Sequence, residues 1–347
     1  MDSIFNQEKE NKNENKHIIN IGLITPISNE WIHLHSDRVK IVKNIQEADY
    51  IIFESNGDPV YIIESFKSRI PKHKLVFILS GDQSGHIDDE CIWFSNAIKP
   101  SGMAKKQTQI FVTNPATFKF YDSNPELLYN NFNFNQKTID IYFKGTIWDG
   151  MRTEMYNAFV NKPNCEIVKN NNYWKWRCES PVKPTQEELE ETAYDSYRSI
   201  SKSKLCLCPK GNGNSSMRII EALACGSIPI LINDFSEPFG IKWDEVALVF
   251  DTKIHSWDYI YSECMKLISD ENKNRSRYEK MQLKGKEYFK KFIYCDSKKD
   301  GFKMGFKMGF KMGFKMYNNL DTVAFGFSNL IIDKLIEYNK NSTKNGM

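Results

Sequence analysis

The residues of this chain best suited to holding an anion lie together in the stretch Lys210-Gly211-Asn212-Gly213-Asn214-Ser215-Ser216. Gly211 and Gly213 let the backbone bend tightly and approach a ligand closely. The apolar residues Leu205–Cys208 and then Pro209 precede the loop. Met217, Ile219, Ile220 and Leu223 follow it at helical spacing, with Ser215 and Ser216 where N-caps open helices. Gly226 closes that helix, and Ser227–Ile232 is a β-branched run suited to the middle of a parallel sheet. A strand, a glycine loop and a helix in this order turn free N–H groups and the positive end of a helix dipole toward one point. A phosphate-bearing ligand is the chemistry this suits. It is not a Walker loop, because Lys210 comes before the glycines.

Strands and helices must hold that loop in place, and the chain supplies them. At 347 residues it is long enough for two domains. A formal charge of +3 is nearly balanced and does not point to nucleic acid or an anionic membrane as partner. The eight cysteines have no paired CxxC spacing and read as reduced core residues rather than a disulfide framework or zinc site. Residues 1–16 are polar, read as a disordered tail, and have no apolar core for a signal peptide or anchor. No stretch approaches the ~18 apolar residues of a spanning helix. The expectation is a soluble, cytoplasmic protein, with Golgi association only through a partner.

Strands are expected at His17–Thr25, Ala48–Glu54 and Leu75–Ser80, with a helix over Pro59–Ile70 and further short apolar runs at Cys91–Ala97 and Gln109–Thr113. Strands alternating with helical patterns predict parallel crossovers, an α/β fold. Residues 114–137 lose this period and read as a connection, so residues 17–137 form one domain and 138–295 a second. The second begins with Ile139–Phe143, the turn Lys144-Gly145-Thr146, and a helix from Gly150 to Val160 carrying Arg152. Helices are also expected at Glu187–Ser201, Trp257–Ser269 and Arg275–Lys291. Residues 301–316 repeat Gly-Phe-Lys-Met and, within an excursion over 296–317, read as a recent duplication. A final helix over Thr322–Asn339 belongs to the tail 318–347.

Several spaced motifs then agree in order. Tyr194 to Asp234 contains a strand ending in Cys-Leu-Cys-Pro-Lys-Gly, the loop, and Ser-Met-Arg-Ile-Ile-Glu-Ala-Leu-Ala-Cys-Gly-Ser-Ile-Pro; Pro238–Trp243 reads PFGIKW; and Tyr142-Phe143-Lys144-Gly145 precedes Arg152. Over about residues 139–250 this resembles the exostosin glycosyltransferases (glycosyltransferase family 47). The resemblance implies a GT-B-like fold, two Rossmann-like domains with parallel sheets facing across a cleft. It also implies inverting transfer of a sugar from a nucleotide donor, a UDP-sugar, to a glycan or glycoprotein acceptor, with no obligatory metal. The chain has no Asp-x-Asp metal clamp. Family members commonly carry a membrane anchor, whereas this sequence shows none, which suits a cytosolic or virus-encoded version.

On this resemblance Gly211, Gly213, Ser215 and Ser216 contact phosphate oxygens beside Lys210, and Arg218 adds a forked cation where charge builds on the departing diphosphate. The alternative for Arg218 is pairing with an acid. Glu221, three residues on and on the same helical face, would accept ribose hydroxyls or pair with Arg218, or both. Gly145 and Arg152 would approach the diphosphate from the other side, unless Arg152 is a solvated helix residue. Asp234 would contact donor sugar hydroxyls or cap a loop. Tyr173, Trp174 and Trp176 would stack on a base or sugar, or fill the core. Asp82 and His86 are candidate bases for the acceptor hydroxyl, with a turn-forming Asp and a surface His as the bland alternatives. A catalytically silent relative, binding glycans or acting as a scaffold, is the competing reading.

Overall fold

The computed structural model describes residues 18–23, 37–55, 70–79, 89–95, 106–109, 134–147, 149–170, 184–211, 216–233, 235–237, 241–269, 271–290 and 331–341. Two open sheets dominate. The first comprises β1 (Ile19–Leu23), β2 (Val39–Val42), β3 (Tyr50–Ser55), β4 (Leu75–Leu79), β5 (Ile92–Ser95) and β6 (Gln107–Gln109), in the order β2-β1-β3-β4-β5-β6. The second comprises β7 (Ile139–Gly145), β8 (Cys165–Lys169), β9 (Ser203–Pro209), β10 (Ile228–Ile232) and β11 (Leu248–Phe250), in the order β11-β10-β9-β7-β8. Every strand pair is parallel. Two Rossmann-like parallel sheets are the GT-B-like class the sequence predicts.

The side chains explain why these strands sit inside. Along β9, Leu205 and Leu207 enter one apolar cluster while Cys206 and Cys208 enter another on the opposite face. Along β10, Ile228, Ile230 and Ile232 take the first face and Leu231 the second. A parallel strand covered on both faces needs apolar residues at every position, not at alternate ones. Helices α1 (Gly150–Phe159) and α5 (Trp257–Leu267) cover one face through Met155, Phe159, Ile260 and Cys264. Helices α2 (Gln186–Lys202) and α3 (Met217–Ala224) cover the other through Tyr197, Ile200, Ile219 and Ile220. Between α3 and α5 lies the short α4 (Trp243–Val246), and α6 (Asn272–Tyr288) follows α5.

Local signals fix the ends of these helices. Thr185 and Glu188 form a reciprocal capping box at the start of α2. At the end of α3, Gly226 takes φ 64°, Ser227 N–H donates to the Ala222 carbonyl at 2.9 Å, and Gly226 N–H donates to that of Leu223 at 3.3 Å. That is a Schellman ending, and it turns the chain directly into β10. Ser216 occupies the N-cap position of α3, but its side chain makes no capping hydrogen bond.

The last helix, α7 (331–341), returns to the first sheet. Ile331, Ile332 and Leu335 share one cluster with Ile19, Ile21, Val76 and Phe94 of that sheet, and with α2 and α3 residues of the second. Arg38, just before β2, pairs with Asp333 at 2.5 Å. Strand β2 is not among the strands expected from sequence, because Lys40 interrupts a run of only four residues. Strand β6 lies earlier than the Gln109–Thr113 run, residues 110–113 of which lie outside the described residues. The tail 1–16, residues 59–69 of the helix expected over Pro59–Ile70 and the repeat 301–316 also lie outside them.

Candidate functional site

The order of the second sheet creates the site. From β7 the chain crosses outward to β8, then returns to lay β9 against the other side of β7. Adjacent parallel strands whose connections leave in opposite directions open a crevice at their carboxyl ends, and ligands of open α/β sheets bind there. Gly145 ends β7; Pro209 ends β9, and Lys210 and Gly211 follow it.

Two arginines meet at this switch point. Arg152 sits in the first turn of α1, where the Asp149 carboxylate, at the N-cap, accepts the Arg152 backbone N–H at 2.7 Å. Its guanidinium spans the crevice. Nη1 donates to the Thr146 carbonyl at 2.9 Å, while Nη2 and Nε donate to the Lys210 carbonyl at 2.8 and 3.3 Å. Burial lowers the Arg152 pKa; Asp149 opposes that effect and Arg218 adds to it.

Arg218 is the second residue of α3, with its side chain 20% exposed. Its Nη2 donates to the Lys144 carbonyl at 3.0 Å, and its Cζ lies 5.9 Å from the centre of the Tyr142 ring. Nη1 lies 3.0 Å from Glu221 Oε2 but has no aligned hydrogen bond, so the contact is ionic. Burial is the largest single influence and opposes the charge on Arg218, yet Glu221, Tyr142, Cys206 and Cys208 together outweigh it and hold the pKa above its ordinary value. Beneath this pair, burial pushes the Tyr142 hydroxyl up to about 12.

Gly145 is flanked by the two carbonyls that the arginines engage, Lys144 and Thr146. A Cβ at Gly145 would stand 2.8 Å from the tip of the Phe143 ring, so any larger residue there requires that ring to shift. At the neighbouring strand end, Asn233 adopts φ 70°, and its Oδ1 accepts from Thr252 N–H and Oγ1, each at 3.0 Å. This latch joins the ends of β10 and β11.

The structure thus brings together Gly145, Arg152, Lys210, Gly211, Ser216, Arg218 and Glu221 at one end of one sheet. Arg218 makes the acid pairing, with Glu221, and also reaches the Lys144 carbonyl of β7. Asp82, His86, Gly213, Ser215, Asp234, Tyr173, Trp174 and Trp176 lie outside the described residues. Lys144 and Thr146 escaped sequence reasoning because they contribute backbone carbonyls, which leave no residue-type signal. Asp149 could have been found, as an acidic residue three before Arg152 at a helix start.

Residues 106–256 match the family model described as the Exostosin GT47 domain. Exostosin-1 of Drosophila melanogaster is 30% identical over 133 residues, covering 36% of this chain and 17% of that protein. The Exostosin-1 homolog of Caenorhabditis elegans is 31% identical over 127 residues, 33% of this chain and 32% of that one. A protein of Oryza sativa named "Probable glucuronosyltransferase" is 28% identical over 130 residues, 33% and 25% respectively. The matches therefore span a third or less of each relative's own length. Among solved structures, Anabaena Alr3699/HepE in complex with UDP aligns at a TM-score of 0.39 and 12% identity, over 84% of this chain and 99% of that one, a likeness too slight to bear on function. Arg152, Arg218, Glu221 and the glycine loop all fall inside residues 106–256, the segment that is similar to the Exostosin GT47 domain.

Proposed function

We propose that this protein is a glycosyltransferase that binds a UDP-sugar at the β7/β9 switch point and transfers its sugar, with inversion and without an obligatory metal, to a glycan or glycoprotein acceptor. The observation that carries this reading is the convergence of two guanidiniums, a buried carboxylate and the start of the glycine loop at Lys210 and Gly211 on one crevice within the segment similar to the Exostosin GT47 domain. Cleaving a sugar–diphosphate bond builds negative charge on the leaving diphosphate, and preorganised cations and N–H donors there lower the barrier. Arg218 faces that charge with Ser216 and Gly211 beside it. Glu221, already oriented by Arg218, accepts ribose hydroxyls, and Arg152 and Gly145 form the opposite wall. Gly213 and Ser215 complete the loop, Asp234 meets the donor sugar, and Asp82 or His86 in the first domain takes the acceptor proton.

The donor half in this reading is residues 138–295 and the acceptor half residues 17–137. Among the described residues, no helix is long and apolar enough to cross a membrane. The test is a panel of UDP-sugars offered to the purified protein, with release of UDP followed in the presence and absence of chelator. Turnover of at least one donor, insensitive to chelator, is expected. No turnover together with no UDP binding refutes the enzyme reading in favour of a silent module; turnover abolished by chelator refutes only the metal-free part.

A further inference from the structure

The hydrogen bonds of Arg152 and Arg218 form a pattern that phosphate binding does not explain. Lys210 is the first residue of the glycine loop, and Arg218 is the second residue of the helix that follows it. Both ends are tied to the same short piece of β7 and its exit. Arg152 holds the Lys210 carbonyl to that of Thr146, and Arg218 holds α3 to the carbonyl of Lys144. The chain is therefore fixed to the β7 end by the protein's own groups both at Lys210 and at Arg218.

The two arginines differ in what they have left to give. A guanidinium has five N–H donors in a planar fork. Arg152 spends Nε, Nη1 and Nη2 on backbone carbonyls, whereas Arg218 gives one bond to a carbonyl and meets Glu221 through an ion contact. We infer that Arg152 is a positioning residue. It fixes the separation of the β7 and β9 exits, at Thr146 and Lys210, and acts on a nucleoside diphosphate through that spacing rather than by direct charge contact. Preorganising a loop removes its ordering cost from the binding step. The inference takes its ligand from the nucleotide-sugar reading, but the geometry it asserts belongs to the free protein.

The experiment compares wild type with Arg152→Ala and Arg152→Gln. Gln is neutral yet keeps N–H donors for a carbonyl. Hydrogen exchange of the ligand-free proteins is read over residues 144–147 and 210–211, with α1 residues 153–159 as an internal control for folding. Arg152→Ala should speed exchange about tenfold in both loops and leave the control unchanged, and Arg152→Gln should restore most of the protection. In UDP titrations Arg152→Ala should bind about tenfold more weakly or worse, with Arg152→Gln within about threefold of wild type. Unchanged loop exchange in Arg152→Ala overturns the inference. Equal weakening of UDP binding by Ala and Gln also overturns it, because that is the signature of a lost charge. If wild type does not bind UDP at all, the exchange data still decide the positioning role, and it is the nucleotide reading that falls.

Discussion

Lys137 offers a quantitative test of the second domain. It lies just before β7 and is 5% exposed, and its Nζ donates to the carbonyls of Ser201 at 2.9 Å and Ser203 at 2.8 Å. It thereby ties the end of α2 and the start of β9 to β7. Burial lowers its pKa to about 7 from 10.5, with the Cys225 and Cys206 thiols acting weakly the other way. Between these values the unfolded chain holds a proton that the folded chain has released. Stability therefore rises with pH from about 7 toward 10.5 and is lost as pH falls back to 7, below which the contribution is flat. The full displacement corresponds to at most ~5 kcal/mol, and the interval from pH 7 to 8.5 to ~2 kcal/mol. Higher pH is uninformative. The half-buried thiol of Cys165 and the buried thiols of Cys208 and Cys264 have raised pKa values, so stability is lost once the unfolded thiols ionise.

The assay is thermal unfolding of wild type and Lys137→Met at intervals from pH 6.5 to 8.5, followed by circular dichroism. Relative to the variant, wild type should gain ~4–8 °C in Tm between pH 7 and 8.5. The variant should be less stable at pH 8.5, having two buried carbonyls without their donor. Parallel Tm profiles for the two proteins would overturn this linkage, because they would mean that Lys137 does not change protonation on folding in that range.

Arg218→Ala should weaken UDP binding by ~10–100-fold and lower stability by ~3–5 kcal/mol, because it leaves the Glu221 carboxylate, 10% exposed, unpaired; calorimetry and denaturant unfolding check the two effects. In Glu221→Gln the preference for UDP over its 2′-deoxy analogue should shrink about tenfold, and an unchanged preference would remove the ribose role. Gly145→Ala should cost ~1–3 kcal/mol as the Phe143 ring shifts, read from the loss in Tm, and wild-type stability would show that the ring yields freely.

Much of this architecture is legible in the sequence because it follows from local patterns. The β-branched run over Ile228–Ile232, Gly226 at the helix end and the Ser-to-Glu spacing around α3 each describe a neighbourhood of a few residues. Strand β2 is not legible, since four residues interrupted by Lys40 carry too little pattern, and only pairing with β1 defines them. The site divides along the same line. Arg218, Glu221 and the glycines are side-chain or backbone-freedom signals. The role of Arg152 depends on carbonyls of Thr146 and Lys210, the latter 58 residues away in sequence, and no residue type encodes such a partner. Buried Lys137 escapes notice for a related reason: its acceptors, Ser201 and Ser203, become neighbours only when β9 lies beside β7.

Hydrogen exchange with and without saturating UDP is the decisive measurement for the nucleotide site, because it reads both binding and place. Slowed exchange is expected over residues 144–147, 209–211 and 216–221, the ends of β7 and β9 and the first turns of α3. Saturating UDP that leaves those segments unchanged, or protects only residues elsewhere, would overturn the placement of the donor at the β7/β9 switch point.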